Sequence, residues 1–252
     1  NSIYIVIIDK IFVKQMKITI DFQEYELTGS NYWFLQNQWL LWIMSSRNTY
    51  VFGPQGSGKD TLIAHFLEIL NGLHYSNIRY NDNTVVTKIK TFGAGNNTFA
   101  DLINDTLTPY ESPFIPGTTL ICSDAGAYFP SSEYKKLDEM YPSMPMWLAF
   151  LRQIGHNFIC NSQAYGRLWV KIREQMDYFI RLLAPVFIKD YIIVNAISYD
   201  RAESAEAGYL PTYKEEDAVS RGLIEYHSFL VPTSELQFDS TYFRKKLIKE
   251  KK

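Results

Sequence analysis

The sequence predicts an α/β fold with a mostly parallel central sheet flanked by helices. Three observations lead there. A short apolar run passes through a glycine-rich loop into an amphipathic helix over residues 48–70. A second apolar run, residues 120–124, ends in an acid. Strand-like and helix-like segments then keep alternating as far as residue 198. Strands joined through helices run parallel, and helices on both faces bury the apolar surfaces of such a sheet.

The elements follow in order. Lys17 to Phe22 alternates polar and apolar residues, as a half-buried strand does, and Asn31 to Ser45 reads as a helix rich in aromatic residues. Asn48 to Phe52 is a short strand. Lys59 to Leu70 is a helix with Leu62, Phe66 and Leu70 on one face and Asn71-Gly72 as its stop. Thr84 to Phe92 reads as a strand, Thr98 to Leu107 as a helix, and Tyr110 to Gly117, with Pro113 and Pro116, as a loop. Thr118 to Cys122 is a buried strand. Ser131 to Arg152 is mostly helical, with interruptions at Pro142 and Pro145. Phe158 to Ser162 is a strand, Leu168 to Met176 a short helix, and Tyr178 to Leu183 and Phe187 to Ser198 are further strands. Loops and a basic tail complete the chain.

Composition narrows the possibilities. The chain has 252 residues, 46% of them hydrophobic, which excludes a disordered polypeptide and suffices for a buried core. Net charge is −2, but the last nine residues hold six lysines or arginines against Glu250, so that tail carries +5 and the rest −7. The tail suits a phosphate-bearing or acidic partner, or is a solvated terminus. Cys122 and Cys160 lie in apolar runs and are expected to be buried, reduced thiols; the four histidines have no ligand spacing. No apolar run approaches the roughly 20 residues that a membrane span needs. Residues 1–15 read as an upstream extension of the fold.

The loop Gly53-Pro54-Gln55-Gly56-Ser57-Gly58-Lys59 carries the chemistry. Glycines let backbone N–H groups converge on phosphate oxygens, the following helix adds the positive end of its dipole, and Lys59 reaches the β and γ phosphates. This spacing between strand and helix predicts nucleotide binding. Lys59, at the junction of loop and helix, is expected to face solvent. The motif ordinarily has Ser or Thr after its lysine to hold Mg²⁺. Here Asp60 stands there and Thr61 follows, about 100° further round the helix. A carboxylate at a neighbouring strand end, needed to organise Mg²⁺ and water, is supplied by Asp124 after Leu120-Ile121-Cys122-Ser123. Gln163, at the tip of the Phe158 to Ser162 strand, is placed to touch the γ-phosphate.

Taken together, Gly53–Lys59, Ser123-Asp124-Ala125 with Phe129-Pro130, Arg152-x-x-Gly155, Ser162-Gln163 and Ile172-Arg173 resemble the motif series of the FtsK–HerA superfamily of DNA-pumping ATPases. The zonula occludens toxin-like phage morphogenesis ATPases and the viral genome-packaging ATPases are the groups most similar to it. The likeness runs from about residue 48 to 183. It implies a RecA-like parallel sheet in which the Cys122 and Cys160 strands are neighbours. It also implies a division into an N-terminal extension packing on the core (1–47), a P-loop ATPase core (48–200) and C-terminal loops with the basic tail (201–252). Set against the family pattern, Asp124 occupies the place of the catalytic Glu and Ser123 that of the Mg²⁺-organising Asp. The hydroxyl and the carboxylate of the metal shell have therefore changed places between Asp60 and Ser123, which are expected to approach one another.

The resemblance implies an ATP-driven motor that moves viral or phage DNA during virion assembly. It would work as a homo-oligomeric ring, a hexamer, with ATP and Mg²⁺ as cofactors and capsid or portal-vertex proteins as partners, in the host cytoplasm or on the virion. Phage relatives carry a transmembrane helix after the ATPase part, and none is seen here, which favours packaging over membrane assembly. In this reading Lys59 binds phosphate, Asp60, Ser123 and Asp124 serve the metal, Asp124 polarises water, and Gln163 senses the γ-phosphate. Arg152 and Arg173 are the candidate arginine fingers, each also readable as a surface arginine. Two alternatives stand beside it: a nucleotide-kinase-type phosphotransferase, and a degenerate nucleotide-binding subunit with a structural role. Elsewhere, His156 reads as a loop or core histidine, the Tyr32 to Trp42 aromatics as core covering a sheet edge, and Tyr128 and Phe129 as packing under a loop rather than base-stacking platforms.

Overall fold

The computed structural model describes residues 4–10, 13–20, 23–28, 33–86, 114–153, 155–188, 191–201 and 225–235. The chain begins with a three-stranded antiparallel meander, β1 (Tyr4–Lys10), β2 (Val13–Ile20) and β3 (Gln23–Thr28). Residues 17–20 of the strand expected at Lys17 to Phe22 are thus the second half of β2, its last two residues lying outside the described residues, and much of the segment read as an upstream extension lies in β1 and β2.

Helix α1 (Trp33–Ser46) leads into the main sheet. Its strands are β4 (Thr49–Phe52), β5 (His74–Ser76), β6 (Thr84–Val86), β7 (Thr119–Cys122), β8 (Asn157–Ser162), β9 (Tyr178–Leu182), β10 (Val186–Ile188), β11 (Tyr191–Asp200) and β12 (Glu225–Pro232). The order is β11-β9-β4-β8-β7-β5-β6. All neighbours from β9 to β6 are parallel; β10, β9 and β12 each pair antiparallel with β11. The mostly parallel sheet flanked by helices is therefore present. The remaining helices are α2 (Lys59–Leu70), α3 (Ala125–Tyr128), α4 (Tyr134–Met140), α5 (Met144–Phe150) and α6 (Val170–Arg173).

Strand periodicity sorts the side chains onto two cores. Tyr50, Phe52, Leu120, Cys122, Phe158 and Cys160 point to one face, where Phe129, Leu137, Trp147, Leu148 and Trp169 cover them. Val51, Ile121 and Ile159 point to the other, under Leu40, Ile43, Met44, Leu62, Ile63 and Phe66 of α1 and α2. Each large apolar side chain so buried contributes about 1.5–3 kcal/mol. Cys122 and Cys160 are direct register partners on adjacent strands, both buried and free. In α1, Leu40 and Ile43 are core, Trp39 stacks on His227 with 3.8 Å between ring centroids, and Trp42 is exposed. Helix α2 ends as the sequence indicates, with Asn71 left-handed (φ 46°) and its N–H on the Leu67 carbonyl.

Three sequence expectations need correction. Residues 225–232, read as loop, form β12; Phe229, Leu230 and Val231 are buried apolar residues, but the buried polar pair His227 and Ser228 precedes them and shortens the apolar run, and the core sheet extends past residue 200. His74–Ser76 is a strand that its polar composition conceals. Pro142 separates α4 from α5, but Pro145 sits in the first turn of α5, where its missing N–H costs nothing. The expected helix at Thr98 to Leu107, most of the strand at Thr84 to Phe92 and the basic tail lie outside the described residues.

Candidate functional site

The phosphate loop leaves the C-terminal end of β4, in mid-sheet. Gly53 donates its N–H to the Ser162 carbonyl at the end of β8. A Cβ at Gly53 would stand 2.8 Å from the Leu182 carbonyl oxygen, so no side chain fits there. Gly58 has φ 88°, a left-handed turn that aims the first N–H groups of α2 into the cleft. Lys59 departs from expectation. It is half-buried, and its ammonium donates to the carbonyls of Gly53 (2.9 Å) and Pro54 (2.8 Å). The ammonium exchanges part of its hydration for these two carbonyls. Burial lowers its pKa from the usual lysine value, opposed by Asp60 and Asp124.

Asp60, in the first turn of α2, is the centre of a hydrogen-bond cluster. Its Oδ1 accepts from Ser123 Oγ, Tyr80 Oη and Asn161 Nδ2, each at 2.8 Å. The expected approach of Asp60 and Ser123 is therefore a direct contact. Two asparagines hold the strand end that carries the acid. Asn77 accepts from the Ser123 N–H (2.6 Å) and donates to the Ser123 carbonyl (2.8 Å). Asn161 Oδ1 accepts from the Asp124 N–H at 2.8 Å. That bond secures Asp124 in a left-handed conformation (φ 52°), which costs a non-glycine residue about 1 kcal/mol. Burial raises the Asp124 carboxyl above the usual range, the Asp60 carboxylate raises it further, and Lys59 and Arg167 pull it back. Burial also holds the Tyr80 phenol well above its ordinary pKa, with Asp60 adding to the effect, so Tyr80 is a donor to Asp60.

A cleft of about 550 Å³ joins these parts. The loop contributes Gln55, Gly56, Gly58, Lys59, Asp60 and Thr61. The acid side contributes Asn77, Ile78, Ser123, Asp124, Tyr128, Asn161 and Gln163. Pro185, Phe187 and Ile192 form the far wall. The remaining loop residues, Gly53, Pro54 and Ser57, are structural to the turn, with Ser57 N–H on the Pro54 carbonyl. Gln163 lines the cleft and accepts from Arg167 at 2.6 Å. The two arginines singled out in the sequence lie elsewhere. Arg152 follows α5 near the N-terminal end of β8, the end of the sheet opposite the loop, and is exposed. Arg173 lays its guanidinium over the Tyr165 ring, 4.7 Å from the centroid. Neither lines the cleft. Phe129 is core, Tyr128 is half-buried in the cleft, and His156 is buried beside Thr118.

Sequence reasoning missed Asn77, Tyr80, Asn161 and Arg167. Asn161 carried a signal, a polar residue inside an otherwise apolar strand; the other three had none. Oxygen donors converge here: the Asp60 and Asp124 carboxylates and the Ser123 hydroxyl. All three bonds to Asp60 fall on Oδ1. Such a set fits Mg²⁺, which takes one or two carboxylates and completes its shell with water and phosphate oxygens.

No family model matches the chain, and no curated protein matches it. Among solved structures it is similar to the N-terminal domain of zonular occludens toxin from Neisseria meningitidis, at 12% identity and TM-score 0.45, over 79% of this chain and 98% of that one. It is also similar to the genome packaging NTPase B204 from Sulfolobus turreted icosahedral virus 2 in complex with ATP-gammaS, at 15% identity and TM-score 0.38, over 78% and 97%. The RuvB Holliday junction branch migration motor of Thermotoga maritima follows at 14% identity and TM-score 0.36, over 62% and 46%. Among the described residues no helix is long and apolar enough to cross a membrane. The strand order, the glycine loop at the end of β4 and the acid at the end of β7 make this a RecA-like P-loop fold.

Proposed function

We propose that the chain is an ATP-hydrolysing motor of the FtsK–HerA type that moves viral or phage DNA during virion assembly. The observation that supports this best is the contact of Asp60 with Ser123 beneath the phosphate loop. It restores, with the two residues exchanged, the carboxylate and hydroxyl pair that a P-loop ATPase places at its metal. In this reading the loop N–H groups and Lys59 hold the β and γ phosphates. Asp60 and Ser123 would hold Mg²⁺, which would supply charge neutralisation at the phosphates when bound. Asp124 orients the attacking water and accepts its proton, and Gln163, positioned by Arg167, contacts the γ-phosphate. Arg152 or Arg173 would act only across a subunit boundary, in a hexameric ring, since neither lines its own cleft. Viral or phage DNA and capsid or portal-vertex proteins are the partners of this reading, and the host cytoplasm or the virion is its location.

One observation favours a second reading. Asp60 already accepts three hydrogen bonds, as a purely structural carboxylate would. A degenerate nucleotide-binding subunit would keep this cluster and not hydrolyse. Phosphate release from Mg²⁺–ATP, with and without double-stranded DNA, decides between them. The motor reading expects hydrolysis that DNA stimulates and that Lys59→Ala abolishes. Tight ATP binding without turnover would establish the degenerate subunit. Phosphate transfer to a nucleoside monophosphate would indicate a kinase.

A further inference from the structure

The position of the loop in the sheet determines which way a bound nucleotide points. The loop stands over β4. Beyond Lys59 and Asp60 at the loop itself, the groups suited to the terminal phosphate and its cation (Ser123, Asp124, Asn161 and Gln163) come from the ends of β7 and β8, on one side of β4. A nucleoside attached to the other end of the phosphate chain must extend the opposite way, over β9 and β11. The loop abuts β11 directly, since a Cβ at Gly58 would lie 3.4 Å from Val194 Cγ2. The wall met on that side is Pro185, Phe187 and Ile192, contributed by the turn into β10, by β10 and by β11. Phe187 is 71% exposed, the most exposed of the large apolar side chains described, yet it lines the same cleft as the phosphate loop. The other aromatic residue in the cleft, Tyr128, stands on the acid side, in the chain segment that follows Asp124.

We propose that Phe187 is the stacking platform for the nucleobase, with Pro185 and Ile192 flanking it, and that this wall takes either purine. An exposed aromatic ring offers a base a π-face to cover, and stacking is tolerant of base identity. The side chains of Pro185, Phe187 and Ile192 carry no hydrogen-bonding group, so the contact these three make with a base is apolar and the same for adenine and guanine. The inference rests on the reading of the loop as a triphosphate site, and it names the part of the ligand beyond the phosphates.

The test measures equilibrium binding of ATP, GTP and inorganic tripolyphosphate to the full chain with Mg²⁺ present. Wild type, Phe187→Ala, Phe187→Trp and Lys59→Ala are compared. Phe187→Ala should weaken ATP and GTP about tenfold each, within the range of an aromatic–base stack, and leave tripolyphosphate within about twofold. Phe187→Trp should restore both nucleotides, and Lys59→Ala should weaken all three ligands. ATP affinity unchanged in Phe187→Ala overturns the proposal, as does an equal loss of tripolyphosphate, which would make Phe187 a support of the loop. A wild-type preference for ATP over GTP well beyond tenfold overturns the claim that the base edge goes unread. If wild type bound neither nucleotide nor tripolyphosphate, the reading of the loop would itself fall, and the platform with it.

Discussion

Restoring the usual order of hydroxyl and carboxylate tests the site most directly. Asp60→Ser alone removes the acceptor of three hydrogen bonds, those from Tyr80, Ser123 and Asn161. The Tyr80 and Asn161 side chains are buried and lose a charged acceptor, keeping only the weaker Ser123 hydroxyl nearby, so at about 1–2 kcal/mol for each weakened bond this change should destabilise by about 2–4 kcal/mol. Ser123→Asp alone puts a second carboxylate where a hydroxyl now sits 2.8 Å from Asp60. Two charges about 4 Å apart at an effective dielectric of about 20 repel by roughly 4 kcal/mol, enough to force one carboxyl to hold a proton. The double change returns one hydroxyl and one carboxylate to the cluster. The coupling energy should therefore favour the double variant by about 1–3 kcal/mol, with incomplete recovery because Tyr80 and Asn161 then face a smaller acceptor. Urea unfolding reads the stability arm, and Mg²⁺-dependent phosphate release reads the catalytic arm. Losses that add within about 0.5 kcal/mol would refute the compensation and show two unrelated substitutions.

Three further outcomes are expected. Lys59→Ala should abolish ATP binding in calorimetry and change unfolding free energy by only about 1 kcal/mol, because its two bonds go to loop carbonyls that water can reach; unchanged ATP affinity would show that the loop is not the site. Cys122 and Cys160 are buried, and burial raises both thiols above the usual value, so neither should react with an aromatic disulfide reagent in the folded protein and both should react in urea; rapid native labelling would contradict the sheet register. His227 is buried against Trp39, bonded to Ser198 and near Glu225, and burial lowers its pKa. The folded state therefore holds it neutral, and the stability this supplies is present above about pH 6.5, where the unfolded histidine is neutral too, and falls as pH drops below that. A His227→Phe variant should lose less stability than wild type between about pH 6.5 and 5 in thermal denaturation; equal losses would assign the acid sensitivity to other groups.

How much of this was legible in the sequence depends on how local the signal is. The glycine loop, the helix from Lys59 to its stop at Asn71 and the strand bearing Cys122 all declare themselves within a dozen residues, through spacing and periodicity. The Asp60–Ser123 contact was legible for a different reason: two departures from one motif pattern were mutually consistent. Tyr80 and Asn77 were not legible, because their role depends on partners 20 and 46 residues away, brought together only when β5 pairs with β7. Arg167 had no signal at all, being one arginine in a short turn. β12 was missed because tertiary burial, and not local hydrophobicity, makes His227 and Ser228 strand residues.

Asn161 has a consequence that extends beyond hydrogen bonding. Its planar amide touches Asp60 through nitrogen and the Asp124 backbone through oxygen. Turned over, it would present oxygen to a carboxylate and nitrogen to an N–H, so only one face-up orientation is tolerated. The amide thus works as a stiff crank between the two acids. A change in the position of Asp60 is delivered across a single side chain to Asp124, the residue that aims a water molecule in the proposed mechanism.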